Sequence, residues 1–236
     1  MALVGDGTTS TKSILMEKVR ETVHYKEWRK SLEAAGHELV SEDLKWVMEV
    51  GNGFPLFFAI KAAVKVHGED RVKDNETVIV RPSVSYVCAY SCDRNARADR
   101  FMMVKEYRTP VMNDRGFVYE LPGGSSFNPN KNPIDVAINE LKEETGCVFD
   151  ATRFVSCGAA QQDPTVIGNR AHLLSIRLTS DEMDQIEKRV GEARGNASEG
   201  ERTHIYVANM NDLQQDYVGW DTRGMIFTAL TRCGNI

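Results

Sequence analysis

The sequence predicts an α/β protein built on a mixed sheet, preceded by a mainly helical N-terminal region. Two patterns carry this expectation. From about Val78 onward, short segments rich in β-branched and aromatic residues alternate with segments of helical spacing, as in a mixed α/β domain. Before that point, apolar residues recur at helical intervals between glycines and capping residues. The expected division is a helical region over residues 1–75 and an α/β domain over 76–236.

The elements follow in order. Leu15, Val19, Val23 and Leu32 fall at helical spacing with Trp28 nearby, and Gly36 ends the run. Ser41 suits the cap of a second helix carrying Leu44, Val47 and Met48, broken by Gly51-Asn52-Gly53. Pro55 suits the first turn of a third helix from Leu56 to His67, closed by Gly68. The charged stretch 67–77 reads as a loop and a boundary. Val78–Tyr90 then reads as strand, with Pro82 at a break or edge. Further strands are expected over 101–108 and 117–121, the second running into Pro122-Gly123-Gly124. Asn132, Pro133 and Gly146 are the cap, first turn and stop of a helix. Later strands are expected over 154–158, 171–178 and 203–208, and helices over 181–194 and 222–232. His172 and His204 fall in these strands and read as structural. Trp28, Trp46, Phe54, Phe57 and Phe58 supply a local core, with a partner surface as the alternative.

Composition narrows the function. With 42% apolar and 27% charged residues, the chain can bury a core and remain soluble. Its net charge of −5 argues against a general binder of nucleic acid or acidic membranes, which carries a basic surplus. Five cysteines, an odd number without a CxxC pair, predict free thiols in a reducing, cytoplasmic setting. No stretch approaches the roughly 18 apolar residues of a membrane span, so no membrane partner is expected.

The sharpest feature is the helix expected from Asn132 to Gly146. Ile134, Ala137, Ile138 and Leu141 form its apolar stripe. At about 100° per residue, Glu143 and Glu144 lie roughly 60° and 40° to either side of Glu140. Each like-charged pair costs a few tenths of a kcal/mol on a helix surface. A solvated face tolerates that cost. A divalent cation removes it, and hard oxygen ligands select Mg²⁺ or Mn²⁺. The preceding strand ends in Glu120-Leu121-Pro122-Gly123-Gly124, whose glycines let the backbone approach a metal or phosphate closely.

These residues resemble the box of the Nudix hydrolase family, written G-x5-E-x7-R-E-U-x-E-E-x-G-U with U aliphatic. Gly124 stands at its opening, and Asn139-Glu140-Leu141-Lys142-Glu143-Glu144-Thr145-Gly146-Cys147 at its close. The loop is one residue longer than the family spacing. Lys131 occupies the place of the first glutamate, Asn139 that of the arginine, and Cys147 that of the last aliphatic residue. The flanks Val104-Lys105-Glu106-Tyr107-Arg108, Glu120–Gly124, Ser198-Glu199-Gly200-Glu201-Arg202 and Gly219–Leu230 are similar to the ADP-ribose and nucleotide-sugar pyrophosphatase branch. Asn169 stands where that branch usually has glutamate.

The resemblance implies an α/β/α sandwich and a homodimer. It implies Mg²⁺ or Mn²⁺ held by Glu140, Glu143 and Glu144 with a backbone carbonyl at Gly123 or Gly124. Glu143, Glu199 and Glu201 are the implied catalytic residues, with Glu199 or Glu201 the general base on a closing loop. Arg108 and Gly124 are implied to contact the substrate, a nucleotide derivative such as ADP-ribose or a nucleotide sugar. Hydrolysis of its pyrophosphate would give a nucleoside monophosphate and a sugar phosphate. The substitutions at Lys131, Asn139 and Asn169 keep open a second reading: a catalytically weak subunit that binds nucleotide or RNA.

Overall fold

A computed structural model describes residues 9–51, 53–92, 98–125, 131–195 and 200–234. The architecture is α/β with two sheets. Among the described residues, those through Ser83 together with Ala160–Arg170 form one compact unit. Val84–Ser125, Lys131–Ala159 and the residues from Ala171 onward form the other.

The first unit starts with helices α1 (Thr9–Glu21) and α2 (Val23–Ala34). They are separated at Thr22, whose hydroxyl donates to the Val19 carbonyl at 2.7 Å and accepts from the Tyr25 amide. Strands β1 (Glu38–Val50), β2 (Phe54–Lys65), β3 (Val72–Val80) and β9 (Ile167–Gly168) form a sheet in that order. The first three are antiparallel, and β9 runs parallel to β3. Met16, Val19 and Tyr25 from the helices pack with Leu44, Val47, Phe58, Ile60 and Val80 from the sheet. Trp28 lies at the edge of this core, while Phe54 is exposed and Phe57 lies under the Arg81 guanidinium.

The expected second and third helices are therefore corrected to a β-hairpin. A bulge explains the false helical signal. The register of β1 against β2 shifts between Leu44 and Trp46, so Leu44 faces Ile60 and Val47 faces Phe58. Two residues three apart then point into the same core, which imitates the helical interval. Along β2 the period is plainly two, with Phe58, Ile60 and Ala62 buried and Lys61 exposed. Gly51 and Gly53, both at positive φ, serve the hairpin turn rather than a helix stop. The charged stretch after His67 likewise enters a strand, β3, at Val72.

The second unit contains β4 (Val84–Cys92), β5 (Ala98–Tyr107), β6 (Phe117–Glu120), β7 (Gly123–Ser125), β8 (Val155–Ala160), β10 (Ala171–Arg177), β11 (Ala193–Arg194) and β12 (Thr203–Asn209). Their order is β11-β12-β5-β4-β10-β8, with β6 paired to β5 and β7 to β4. The sheet is mixed, because β10 runs parallel to β4 whereas β5 is antiparallel to both β4 and β12. Helices α3 (Pro133–Thr145) and α4 (Ser180–Glu187) bury Ala137, Leu141, Met183 and Ile186 with Met102 and Ile205 of the sheet. Helix α5 (Trp220–Cys233) buries Ile226, Ala229 and Leu230 with Phe101 and Met103. Adjacent residues of β5 thus enter opposite cores, as a pleated strand requires, and the unit has three α/β/α layers. The expected helix over 181–194 ends at Glu187, and β11 follows. No helix among the described residues is long and apolar enough to cross a membrane.

Candidate functional site

Helix α3 begins and ends as its sequence dictates. The Asn132 side chain accepts from the Ile134 amide, Pro133 opens the first turn, and Gly146 closes the helix in the left-handed conformation at φ 67°. Val136, Ala137 and Leu141 are buried, and so is Glu144, with 2% of its surface exposed. Ala137, Leu141 and Glu144 are spaced i, i+4, i+7, so Glu144 continues the apolar stripe into the core. Its Oε2 accepts from the Gly123 amide of β7 at 2.8 Å. One residue on, a Cβ at Gly124 would stand 2.7 Å from the Cδ of Glu140. The absent side chain at Gly124 is what lets the Glu140 carboxylate lie against this strand.

The sheet supplies the other acids. Along β5, residues Met102, Val104 and Glu106 share the face that packs beneath α3, and Glu106 is 5% exposed. Glu106 is the register partner of Thr203 on β12. The Thr203 hydroxyl donates to the Glu144 carbonyl at 3.1 Å and so ties this strand to the end of α3. Two residues before Thr203 comes Glu201. Acidic oxygens of Glu106, Glu144 and Glu201 all lie within 4.8 Å of one another. On the opposite edge of β5, Val104 pairs with Glu120. Arg108, just past the strand, donates to Glu120 Oε1 at 3.3 Å. Its Nη2 also stands 2.7 Å from Glu106 Oε2, yet that oxygen accepts no hydrogen bond. The contact is an ion pair out of hydrogen-bond alignment.

The electrostatics follow from burial and crowding. Ionised carboxylates at 4.8 Å repel on the order of 3 kcal/mol per pair at an effective dielectric of about 20, roughly ten times the cost on an open helix face. Burial pushes the Glu106 carboxyl up to about 7; Arg108 opposes this, and Glu120 and Glu201 reinforce it. Burial raises Glu144 well above the usual carboxylate range, against the Gly123 amide and with help from Glu201, Glu120 and Glu140. Glu120 is raised for the same leading reason. At Arg108 burial works against the cation, but Glu120 and Glu106 outweigh it and its pKa rises. Such a set takes up positive charge, as protons or as a cation. All-oxygen donors, with one buried oxygen lacking a hydrogen bond, fit a hard divalent ion such as Mg²⁺ or Mn²⁺.

The site therefore draws together Glu144, Glu201, Arg108 and Gly123, with Glu140 against Gly124. It does not draw in Glu143, whose side chain is exposed on the other flank of the helix. Glu199 lies outside the described residues. Asn139 is exposed, Lys131 is half-buried, and Asn169 is buried in the other compact unit. Sequence reasoning missed Glu106 as a member of the site, although a signal was present: an acid at an inward position of the strand, in step with Met102 and Val104.

No protein-family model matches the chain, and no curated protein does. Among solved structures it is similar to one described as a crystal structure of ADP compounds hydrolase, with 16% identity and a TM-score of 0.49, over 84% of this chain and 99% of that one.

Proposed function

We propose that the chain hydrolyses the pyrophosphate bond of a nucleoside diphosphate linked to a second moiety, with ADP-ribose or a nucleotide sugar as substrate and a nucleoside monophosphate and sugar phosphate as products. One observation carries the reading. Glu144 is buried on an apolar helix stripe beside Glu201, an arrangement that costs stability unless positive charge enters the site. The helix also bears the Nudix-like pattern.

Glu140 and Glu144 would hold Mg²⁺ or Mn²⁺, the absence of a side chain at Gly124 letting the Glu140 carboxylate lie against the strand. When bound, the ion supplies neutralisation of phosphate charge and acidification of a coordinated water. Glu201 accepts the proton of the attacking water, since it sits at the rim and is only partly buried. Arg108 is exposed on one side and held by Glu106 and Glu120 on the other, so its planar fork is oriented to meet phosphate oxygens. The acidic side chains raise the local negative potential, so substrate phosphate approaches productively only with the cation present.

The test is nucleoside monophosphate release from ADP-ribose, nucleotide sugars, dinucleoside polyphosphates and capped RNA, with Mg²⁺, Mn²⁺ or a chelator. Glu144→Gln keeps an acceptor for the Gly123 amide and removes the charge, so turnover should fall at least about a hundredfold. Turnover indifferent to chelator, or undiminished in this variant, removes the proposal.

A further inference from the structure

We propose that Glu106, a residue of the central sheet, is a direct ligand of the divalent cation. The inference rests on the reading of this acidic site as a cation site, and it adds a ligand that the helix motif does not contain. The position is a strand residue, Val104-Lys105-Glu106-Tyr107-Arg108, far in sequence from Glu140 and Glu144.

Three observations support it independently. The Glu106 side chain is 7% exposed, and its Oε2, though ion-paired with Arg108 Nη2 at 2.7 Å, accepts no hydrogen bond. A buried carboxylate oxygen left in that state is costly unless a further ligand satisfies it. An oxygen of the same carboxylate lies within 4.8 Å of oxygens from Glu144 and Glu201, so this carboxylate belongs to the acidic cluster itself. Its placement is also rigid. Glu106 is paired on both sides, to Thr203 of β12 and to Val118 of β6, and Thr203 is itself bonded to the end of α3. A ligand on a central strand is pre-organised, whereas Glu201 follows Gly200 at the foot of a loop.

The rival role for Glu106 is purely to anchor Arg108. The two roles predict opposite charge effects. As a ligand, Glu106 attracts the cation and Arg108 repels it. As an anchor, Glu106 matters only through Arg108, and losing either residue has the same consequence.

The experiment is a Mn²⁺ titration of the full chain without substrate, read by the electron paramagnetic resonance of free Mn²⁺ and by calorimetry. Circular dichroism of each variant checks the fold. Wild type should bind, and Glu144→Gln should weaken binding. Glu106→Gln should weaken it by more than about a hundredfold, beyond the roughly 10–100-fold that losing a supporting neighbour costs. Arg108→Gln should tighten it. If Glu106→Gln does not fold, Glu106→Asp serves in its place and should weaken binding by a smaller factor, since it keeps a carboxylate on a shorter arm. Wild-type affinity in the Glu106 variant, alongside weak binding in Glu144→Gln, overturns the ligand assignment and leaves the proposed function standing. Equal shifts in Glu106→Gln and Arg108→Gln overturn it as well. Failure of wild type to bind Mn²⁺ overturns the cation site, and the inference with it.

Discussion

Removing the Glu106 charge should remove a specific part of the pH dependence of folding in metal-free protein. Burial holds this carboxyl at about 7 in the folded chain, against about 4.5 for an ordinary glutamate. The folded state therefore binds the proton more tightly than the unfolded state. The stabilising contribution is complete below about pH 4.5, and it is lost as pH rises through about 7. Between about pH 5 and pH 8 that linkage is worth ~2.5 kcal/mol, of the 1.36 kcal/mol that each pH unit of displacement carries. Glu106→Gln cannot titrate, so it lacks this loss, while Glu120 and Glu144 remain in both proteins. The assay is urea unfolding in chelator by circular dichroism, for wild type and Glu106→Gln at several pH values. The difference between the two free energies should change by ~2.5 kcal/mol across that interval, with wild type losing ground at the alkaline end. Parallel curves would refute the reasoning, because they would mean that the buried carboxyl is no harder to ionise than one in water.

Four further outcomes are expected. In Gly124→Ala the new Cβ would stand 2.7 Å from Glu140 Cδ, and a side-chain end can yield, so stability should fall by no more than ~1 kcal/mol while Mn²⁺ affinity drops about tenfold. Gly123→Ala instead meets the Ser85 carbonyl and the Tyr86 backbone, which belong to the β4–β7 pairing, and should cost ~1–3 kcal/mol in urea unfolding. His24 lies buried against Phe58 at 5.1 Å between ring centroids, and burial lowers its pKa to about 4. Its contribution is present above about pH 6.5 and lost as pH falls through 4, so His24→Phe should flatten the acid side of the stability curve by ~3 kcal/mol, opposite in sign to Glu106. Glu182 completes the capping box of α4 with Thr179 and receives two Arg153 hydrogen bonds, at 2.6 and 2.9 Å. Glu182→Ala should lower stability by ~1–2 kcal/mol in thermal or urea unfolding, because the cap and the Arg153 pair are lost together.

The legibility of the chain differs by region. Asn132, Pro133 and Gly146 marked both ends of α3, because caps and stops act on their nearest neighbours and need no tertiary partner. Pro82 marked the gap between β3 and β4 for the same reason, since a missing amide is a local fact. The β1–β2 hairpin reads as two helices in sequence because a bulge shifts the phase of Leu44 and Val47. A bulge is visible only against its partner strand. The Gly51-Asn52-Gly53 motif did signal a turn between apolar runs, and a period of two along Phe58, Ile60 and Ala62 was there to be weighed against it.

The acidic site divides along the same line. Local periodicity alone determined that Glu140, Glu143 and Glu144 share a helix, and that a glycine pair precedes them. Which acids actually converge was decided by strand register and layer packing. Pairing of Thr203 with Glu106 brings Glu201 and a sheet carboxylate to Glu144, and leaves Glu143 in solvent. Helical spacing acts over a few residues of one segment, whereas convergence of residues 106, 144 and 201 depends on which strands become neighbours, and the long-range burial that selects those neighbours has no counterpart in the order of the residues.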